Sequence, residues 1–407
     1  YGTAATAWLN DGARGYLEDP AWALPAGVHF YELGDHHSID TGVRLADVNG
    51  DGRVDVLRAK AGATRTTWLN DGDVDEATPT PWVASGAWTT PAGLEFVAAN
   101  GTDNGVRLLD LDGDGMTDLV RSANGANEFY RNRASIPDLL TQVTSPLGAR
   151  TNYAYEVSTQ HDTSGGDGVA DLPFVVPVVA SVSVSASPGQ PGNLVSTTLY
   201  DYDGGLYDTA AREFRGFAGV TETRPDGRFT VRAFHQTEAL SGQLASETVF
   251  DAEGRPWLGV DYGYVADAAA PYVGLVTRVD RYEYDGQAMP RLSRTEYRYD
   301  GGGAIVYGNP TAIIEWGEIS GAATDAVPGD TRTTELSYPT NSALHLVDRV
   351  QTRAIRTGGT PGAGTVVRES RFAYDGDASG AAPPTVGDLT RRTDVLADAA
   401  MSDPTTT

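Results

Sequence analysis

Cysteine is absent from the 407 residues, so the fold holds no disulfide, no thiolate metal site and no cysteine nucleophile. Lysine occurs once, at Lys60, and acidic side chains outnumber basic ones by 55 to 30, for a net charge of −25. Such a surface repels phosphate backbones, which argues against nucleic acid and anionic membranes as partners. It also repels itself, so bound cations would help it stay compact. No run approaches the 18 or so apolar residues of a membrane span. No signal peptide is visible, and Tyr1 falls inside a repeating pattern, as expected of a segment of a longer chain. Helix-favouring runs are scarce. Val, Thr and Tyr stretches are punctuated by 48 Gly and 22 Pro, so the expected class is all-β.

What is present is a doubled acidic loop. Asp47-Val-Asn-Gly-Asp-Gly-Arg-Val-Asp55 returns as Asp110-Leu-Asp-Gly-Asp-Gly-Met-Thr-Asp118. Each copy offers side-chain oxygens at positions 1, 3, 5 and 9: Asp47, Asn49, Asp51 and Asp55, then Asp110, Asp112, Asp114 and Asp118. The seventh residue, Arg53 or Met116, would add its backbone carbonyl. Carboxylates this close repel unless a cation sits among them, and Ca²⁺ takes six to eight oxygens, so the expected ligand is calcium. An EF-hand needs Glu at position 12, where Arg58 and Arg121 stand. The flanks, Gly42-Val-Arg-Leu and Val54-Asp-Val-Leu, then Gly105-Val-Arg-Leu and Thr117-Asp-Leu-Val, alternate as strands do. Each loop is therefore expected at the tip of a β-hairpin.

The loops lie inside a longer repeat. Ala21-Trp-Ala-Leu-Pro-Ala-Gly-Val-His-Phe30 matches Ala87-Trp-Thr-Thr-Pro-Ala-Gly-Leu-Glu-Phe96, and Trp8-Leu-Asn-Asp-Gly12 matches Trp68-Leu-Asn-Asp-Gly72. The unit is about sixty residues and reads as four strands, the Pro-Ala-Gly strand, the Gly-Val-Arg-Leu strand, the strand after the loop and the Trp-Leu-Asn strand. Four strands per unit is the pattern of a β-propeller blade, with one blade over about 20–72 and the next over about 87–133. Two blades cannot close a ring, so the rest of the propeller is an expected partner. Trp8, Trp22, Trp68 and Trp88 recur at fixed places, which suits core between blades better than a sugar-stacking surface. His29, His36 and His37 have no counterpart in the second unit and are not read as a metal site.

The repeat stops at Arg133, giving expected domains of 1–133 and 134–407. The later region carries aromatic-Asp turns: Tyr200-Asp-Tyr-Asp-Gly204, Phe250-Asp-Ala-Glu-Gly254, Tyr284-Asp-Gly286, Tyr299-Asp-Gly301 and Tyr374-Asp-Gly376. Each reads as a hairpin turn with a packed aromatic anchor, and together they predict a long antiparallel meander that curls around a space. Arg212-Glu-Phe-Arg-Gly-Phe217 reads as a strand surface. No Ser-His-Asp set, phosphate loop or paired catalytic carboxylates stand out, so no enzyme activity is expected.

The Asp loops and the blade length resemble the FG-GAP/VCBS blades of integrin-type propellers. The stretch Asp138-Leu-Leu-Thr-Gln-Val-Thr-Ser-Pro-Leu-Gly-Ala-Arg-Thr-Asn-Tyr-Ala-Tyr155, with Tyr207 to Thr223, resembles the middle region of insecticidal toxin-complex (Tc) B subunits and SpvB-like proteins. The Tyr-Asp-Gly elements resemble the start of an RHS/YD-repeat shell. The resemblance implies partial propeller blades with calcium loops, followed by a curled antiparallel β-shell. It further implies a secreted, non-enzymatic module whose propeller docks on a translocation subunit and whose shell encloses a C-terminal toxic domain. A carbohydrate- or protein-binding propeller, as in a lectin or adhesin, is the alternative. It would leave the chain after residue 134 without a purpose.

Overall fold

The computed structural model describes residues 6–10, 12, 15–34, 37–72, 80–123, 125–165, 168–190, 192–267, 272–302, 305–320, 324–327, 329–377, 379–395 and 405–406. His36 lies outside them. The class is all-β and antiparallel, as expected, with two short 3₁₀ turns among the described residues. The chain divides into two compact units, 1–160 with 174–179, and 161–173 with 180–407.

In the first unit, β1 (Trp8–Asn10) pairs with β2 (Tyr16–Glu18), and β3 (Tyr31–Leu33) with β4 (Ser38–Asp40). A four-stranded meander follows: β5 (Val43–Ala46), β6 (Asp55–Arg58), β7 (Thr66–Asn70) and β8 (Trp82–Ser85). The second repeat gives three strands: β9 (Val106–Leu109), β10 (Asp118–Ala123) and β11 (Ala126–Tyr130). The hairpin β12 (Gln142–Thr144) and β13 (Arg150–Val157) comes next.

Both Asp loops sit at hairpin tips, between β5 and β6 and between β9 and β10. The sheet β5–β8 is covered on both faces. Along β6, Val56 enters one cluster with Val28 and Val43, while Leu57 enters another with Val48, Phe96 and Val106. Successive strand residues point to opposite faces, so burial of both neighbours means core on both sides, as a propeller blade requires. The described strands make this four-stranded sheet, a second sheet of three strands, and no closed ring.

The fourth strand is not the expected one. Pro25–Phe30 and Pro91–Phe96 form turns, closed by Val28 N–H to Pro25 O at 3.0 Å and Leu94 N–H to Pro91 O at 3.2 Å. Gly27 and Gly93 hold φ of 77° and 86°, a conformation a strand does not use. Val28, Leu94 and Phe96 then plug the cores as buried inserts. The strand that completes the first sheet is β8, which lies between the two repeats. Trp68 and Trp88 pack on the two clusters, but Trp8 is 58% exposed.

The second unit is a meander whose order in the sheet equals its order in the chain. It comprises β14 (Pro177–Ser185, the first three residues of which belong to the first unit), β15 (Val195–Asp208), β16 (Glu213–Thr223) and β17 (Phe229–Phe234). Then come β18 (Leu244–Phe250), β19 (Pro256–Ala266), β20 (Gly274–Glu283), β21 (Arg291–Tyr299) and β22 (Pro310–Ser320). The run ends with β23 (Thr324–Asp325), β24 (Arg332–Ser337), β25 (Thr352–Thr357), β26 (Val366–Tyr374), β27 (Leu389–Val395) and β28 (Thr405–Thr406). β24 also pairs with β22.

Tyrosine hydroxyls show how the meander is pinned, two of them, Tyr299 and Tyr374, from the aromatic-Asp motifs. Tyr264, Tyr299, Tyr338 and Tyr374 donate their hydroxyls to the carbonyls of Leu244, Val276, Pro310 and Val350, at 2.8, 2.7, 2.9 and 2.8 Å. Each bond reaches back between 20 and 28 residues. The Asp beside the aromatic residue gathers turn amides. Asp375 accepts from Thr385, Val386, Gly387 and Asp388, and these N–H groups, Val386 first, hold its carboxyl below the usual carboxylate range. Asp285 and Asp375 have φ of 45° and 55°, which Asp tolerates better than most residues. Tyr200-Asp-Tyr-Asp-Gly204 departs from the expected turn. It lies inside β15, and Tyr200 to Asp203 pair with β16.

Candidate metal centre

Each Asp loop is folded by its own carboxylates. Asp47 accepts the N–H groups of Gly50 and Gly52, both at 2.7 Å. Asp110 likewise accepts those of Gly113 at 2.8 Å, Asp114 at 3.1 Å and Gly115 at 2.9 Å. At position 5, Asp51 and Asp114 accept from the residue two further on, Arg53 and Met116, at 2.9 Å. Gly50, Gly52, Gly113 and Gly115 all have positive φ, so the spacing of glycines is a demand of the turn itself.

Position 9 does something that the sequence did not show. Asp55 is 0% exposed and its two oxygens accept the N–H groups of Val48 and Asn70, each at 2.9 Å. Asp118 is 1% exposed and does the same for Leu111 at 3.1 Å and Asn132 at 2.8 Å. One carboxylate thus ties the loop to the next strand or to the chain just after it. Burial pushes the Asp55 carboxyl up, against those two amides, and the neighbouring Asp51 and Asp47 push the same way.

In the second loop the carboxylate oxygens of Asp110, Asp112 and Asp118 lie within 4.8 Å of one another. Oxygens on opposite sides of a calcium ion are separated by about 4.6–5.2 Å, so this trio has the right span for one ion. Asp114 is turned aside. Arg131 reaches it at 3.1 Å and also pairs with Asp112. In the first loop Asn49 donates to Asp51 at 3.0 Å, and the Arg53 guanidinium stands 3.6 Å from Asp51. All donors are hard oxygens, the set that suits calcium rather than a softer metal.

The two loops touch. The hydroxyl of Thr117 donates to the carbonyl of Asp47, and the Asn132 amide to that of Val48 at 2.9 Å. Met116, expected only for its carbonyl, is 2% exposed, and its sulfur lies 2.5 Å from where a Cβ on Gly50 would stand. The chain past Arg133 also folds onto this region, with the Thr159 hydroxyl donating to the Gly113 carbonyl. That contact helps explain why the first compact unit runs on to residue 160.

The comparisons with known proteins agree with the order of these parts. Residues 83–243 match a family model described as the insecticide toxin TcdB middle/N-terminal region. This stretch runs from β8 through the second Asp loop to the residues before β18. The crystal structure of TcdB2-TccC3 is similar over 98% of this chain and 24% of that one, with 16% identity and a TM-score of 0.69. A TcdB2-TccC3 structure without its hypervariable C-terminal region is similar over 96% and 24%, with 17% identity and a TM-score of 0.66. A Photorhabdus luminescens Tc holotoxin pore gives 96% and 23%, with 16% identity and a TM-score of 0.65. The chain spans about a quarter of the length of these structures. No curated protein matches the sequence. The resemblance to the middle region of a Tc toxin B subunit is therefore borne out over residues 83–243, and the fold is shared with these structures. Among the described residues, no helix is long and apolar enough to cross a membrane.

Proposed function

We propose that this chain is a non-enzymatic structural segment of a secreted Tc-type toxin complex, in which a calcium-bound propeller portion leads into a β-shell. The observation that carries this is the family match over 83–243, which joins an Asp-loop sheet to the long meander in one sequence. In this reading residues 1–133 are the propeller segment and 134–407 the shell region. The propeller docks on a pore-forming translocation subunit, and the shell encloses a toxic C-terminal domain. The similar structures, in which TcdB2 is paired with TccC3, support a TccC-type chain as the shell's other component.

Calcium would be held by Asp110, Asp112 and Asp118, with Asp114 once Arg131 withdraws and the Met116 carbonyl completing the shell. Asp47, Asn49, Asp51, Asp55 and the Arg53 carbonyl would hold a second ion. The span of the oxygens supports the site on Asp110, Asp112 and Asp118, and the first loop rests on its matching ligand pattern and hard donors. An ion bound only by the folded state stabilises it by about 2.7 kcal/mol at a hundredfold excess over Kd. Melting in calcium and in chelator tests this, and identical transitions would refute it. Co-expression with a TccC3-type chain tests the shell. The partner's toxic segment should resist protease in the complex, and equal cleavage with and without this chain would end that reading.

A further inference from the structure

β25, β26 and β27 place three guanidiniums around one buried serine. Ser370, on β26, faces Arg353 across β25 and Asp394 across β27. Arg368 precedes Ser370 by two residues on the same face, and Arg392, opposite Phe372, lies on the diagonal. These groups line a hollow of about 130 Å³ with Ile355 and Phe372. The one carboxylate there is already engaged. Asp394 accepts from Ser370, sits 3.0 Å from Arg392 and is 3.9 Å from Arg368. The Ser370 hydroxyl and Arg392 hold it below the usual carboxylate range. Arg353 makes no ion pair among the described residues. Three cations therefore meet one anion, in a chain of net charge −25.

The hollow adjoins a mainly apolar one on the same face. Ile313, Leu336, Phe372, Tyr374 and Leu389, with Glu315 and Thr334 among them, line a cavity of about 550 Å³ that shares Arg353 and Phe372 with the first. We propose that this face binds an extended acidic polypeptide segment, with two carboxylates on alternate residues at the arginines and the next alternate side chains, apolar ones, in the adjoining cavity. Alternate residues of an extended chain are about 6.6–6.8 Å apart, close to the roughly 7–8 Å between diagonal positions on adjacent strands, the relation in which Arg353 and Arg368 stand. A small anion would leave the apolar cavity unused. This inference rests on the reading of the meander as a shell around polypeptide and names a contact inside it.

The test uses the whole chain and a fluorescent peptide, Glu-Ser-Glu-Ser-Phe-Ser-Leu, followed by anisotropy. Binding should saturate, weaken with salt and vanish when Lys replaces both Glu. The pair Arg353→Gln and Arg368→Gln should weaken it about tenfold or more. Arg371→Gln alters an exposed arginine on the other face of β26, paired with Glu369 at 2.6 Å, and should change nothing. Near-ultraviolet circular dichroism checks that both variants are folded. Equal binding of the Lys peptide, or an unaffected double variant, would overturn the proposal. So would full displacement by inorganic phosphate together with equal binding of a peptide lacking Phe and Leu, which would reduce the site to a small-anion site. Peptide binding that survives a failed protease-protection experiment would refute the shell alone.

Discussion

Replacing Asp55 by alanine separates the two roles carried by the acidic loops. The carboxylate is fully buried and accepts two amides, from Val48 and Asn70, at 2.9 Å each. Alanine leaves both N–H groups without an acceptor in a space that water does not reach. A buried donor left unsatisfied costs about 1–3 kcal/mol, so the pair implies a loss of about 2–6 kcal/mol. This loss does not depend on metal, because the hydrogen bonds form within the chain itself. Asp51→Ala is the contrasting change. It removes a proposed calcium ligand and one local acceptor, and should cost more than about 1 kcal/mol only when calcium is present. Urea titration followed by tryptophan fluorescence suits the measurement, since Trp8, Trp22, Trp68, Trp82 and Trp88 report from the first unit and only Trp257 and Trp316 from the second. Each variant is measured in calcium and in chelator. An Asp55→Ala cost below about 1 kcal/mol in chelator would refute the amide-tie argument.

Three further outcomes are expected. Met116→Ala should destabilise the first unit by about 2–5 kcal/mol through the cavity it opens, and should loosen both loops, because its side chain packs on Gly50; hydrogen exchange confined to the second loop would contradict this. Tyr374→Phe removes the hydroxyl that reaches Val350 and should cost about 0.5–1.5 kcal/mol by urea denaturation, while a neutral result would mean that the bond is not a pin. Burial and the Asp261 carboxylate raise the Tyr282 hydroxyl to about 12. The folded state then holds a proton that the unfolded chain releases near pH 10, so this stabilisation is complete below about pH 10 and fades as pH rises towards 12. Tyrosinate absorbance of wild type against Tyr282→Phe reads it, and a difference spectrum appearing near pH 10 would count against the assignment.

The acidic loops, their hairpin setting and most of the aromatic-Asp turns were legible because each depends on residues within about ten positions. Gly50, Gly52 and Asp47 announce a turn wherever the chain goes next. Non-local features were not legible. Asp55 looked like one more ligand, since nothing in its loop says that Asn70 will bring an amide to its second oxygen. Met116 looked like a carbonyl donor, but its side chain meets a glycine of the other loop. The fourth strand of the first sheet was misplaced because the Pro-Ala-Gly stretch is the better-matched repeat, whereas Trp82–Ser85 has no counterpart. In Tyr200-Asp-Tyr-Asp-Gly204 the turn residues sit opposite β16, and pairing with a neighbour overrides the local signal. Arg215, expected on a strand surface, is buried between Asp208 and Glu213 for the same reason.

A sheet whose strands follow one another in space as in sequence needs no distant partner to begin assembling. Every hairpin docks on the one made just before it, so ordering can keep pace with a ribosome and loop-closure entropy stays small. The leading strand always offers unpaired amides and carbonyls, which makes each unfinished stage sticky. Lengthening such a wall requires only further hairpins, each brought with its own tyrosine, so its reach can change by duplication without redesign of what is already built.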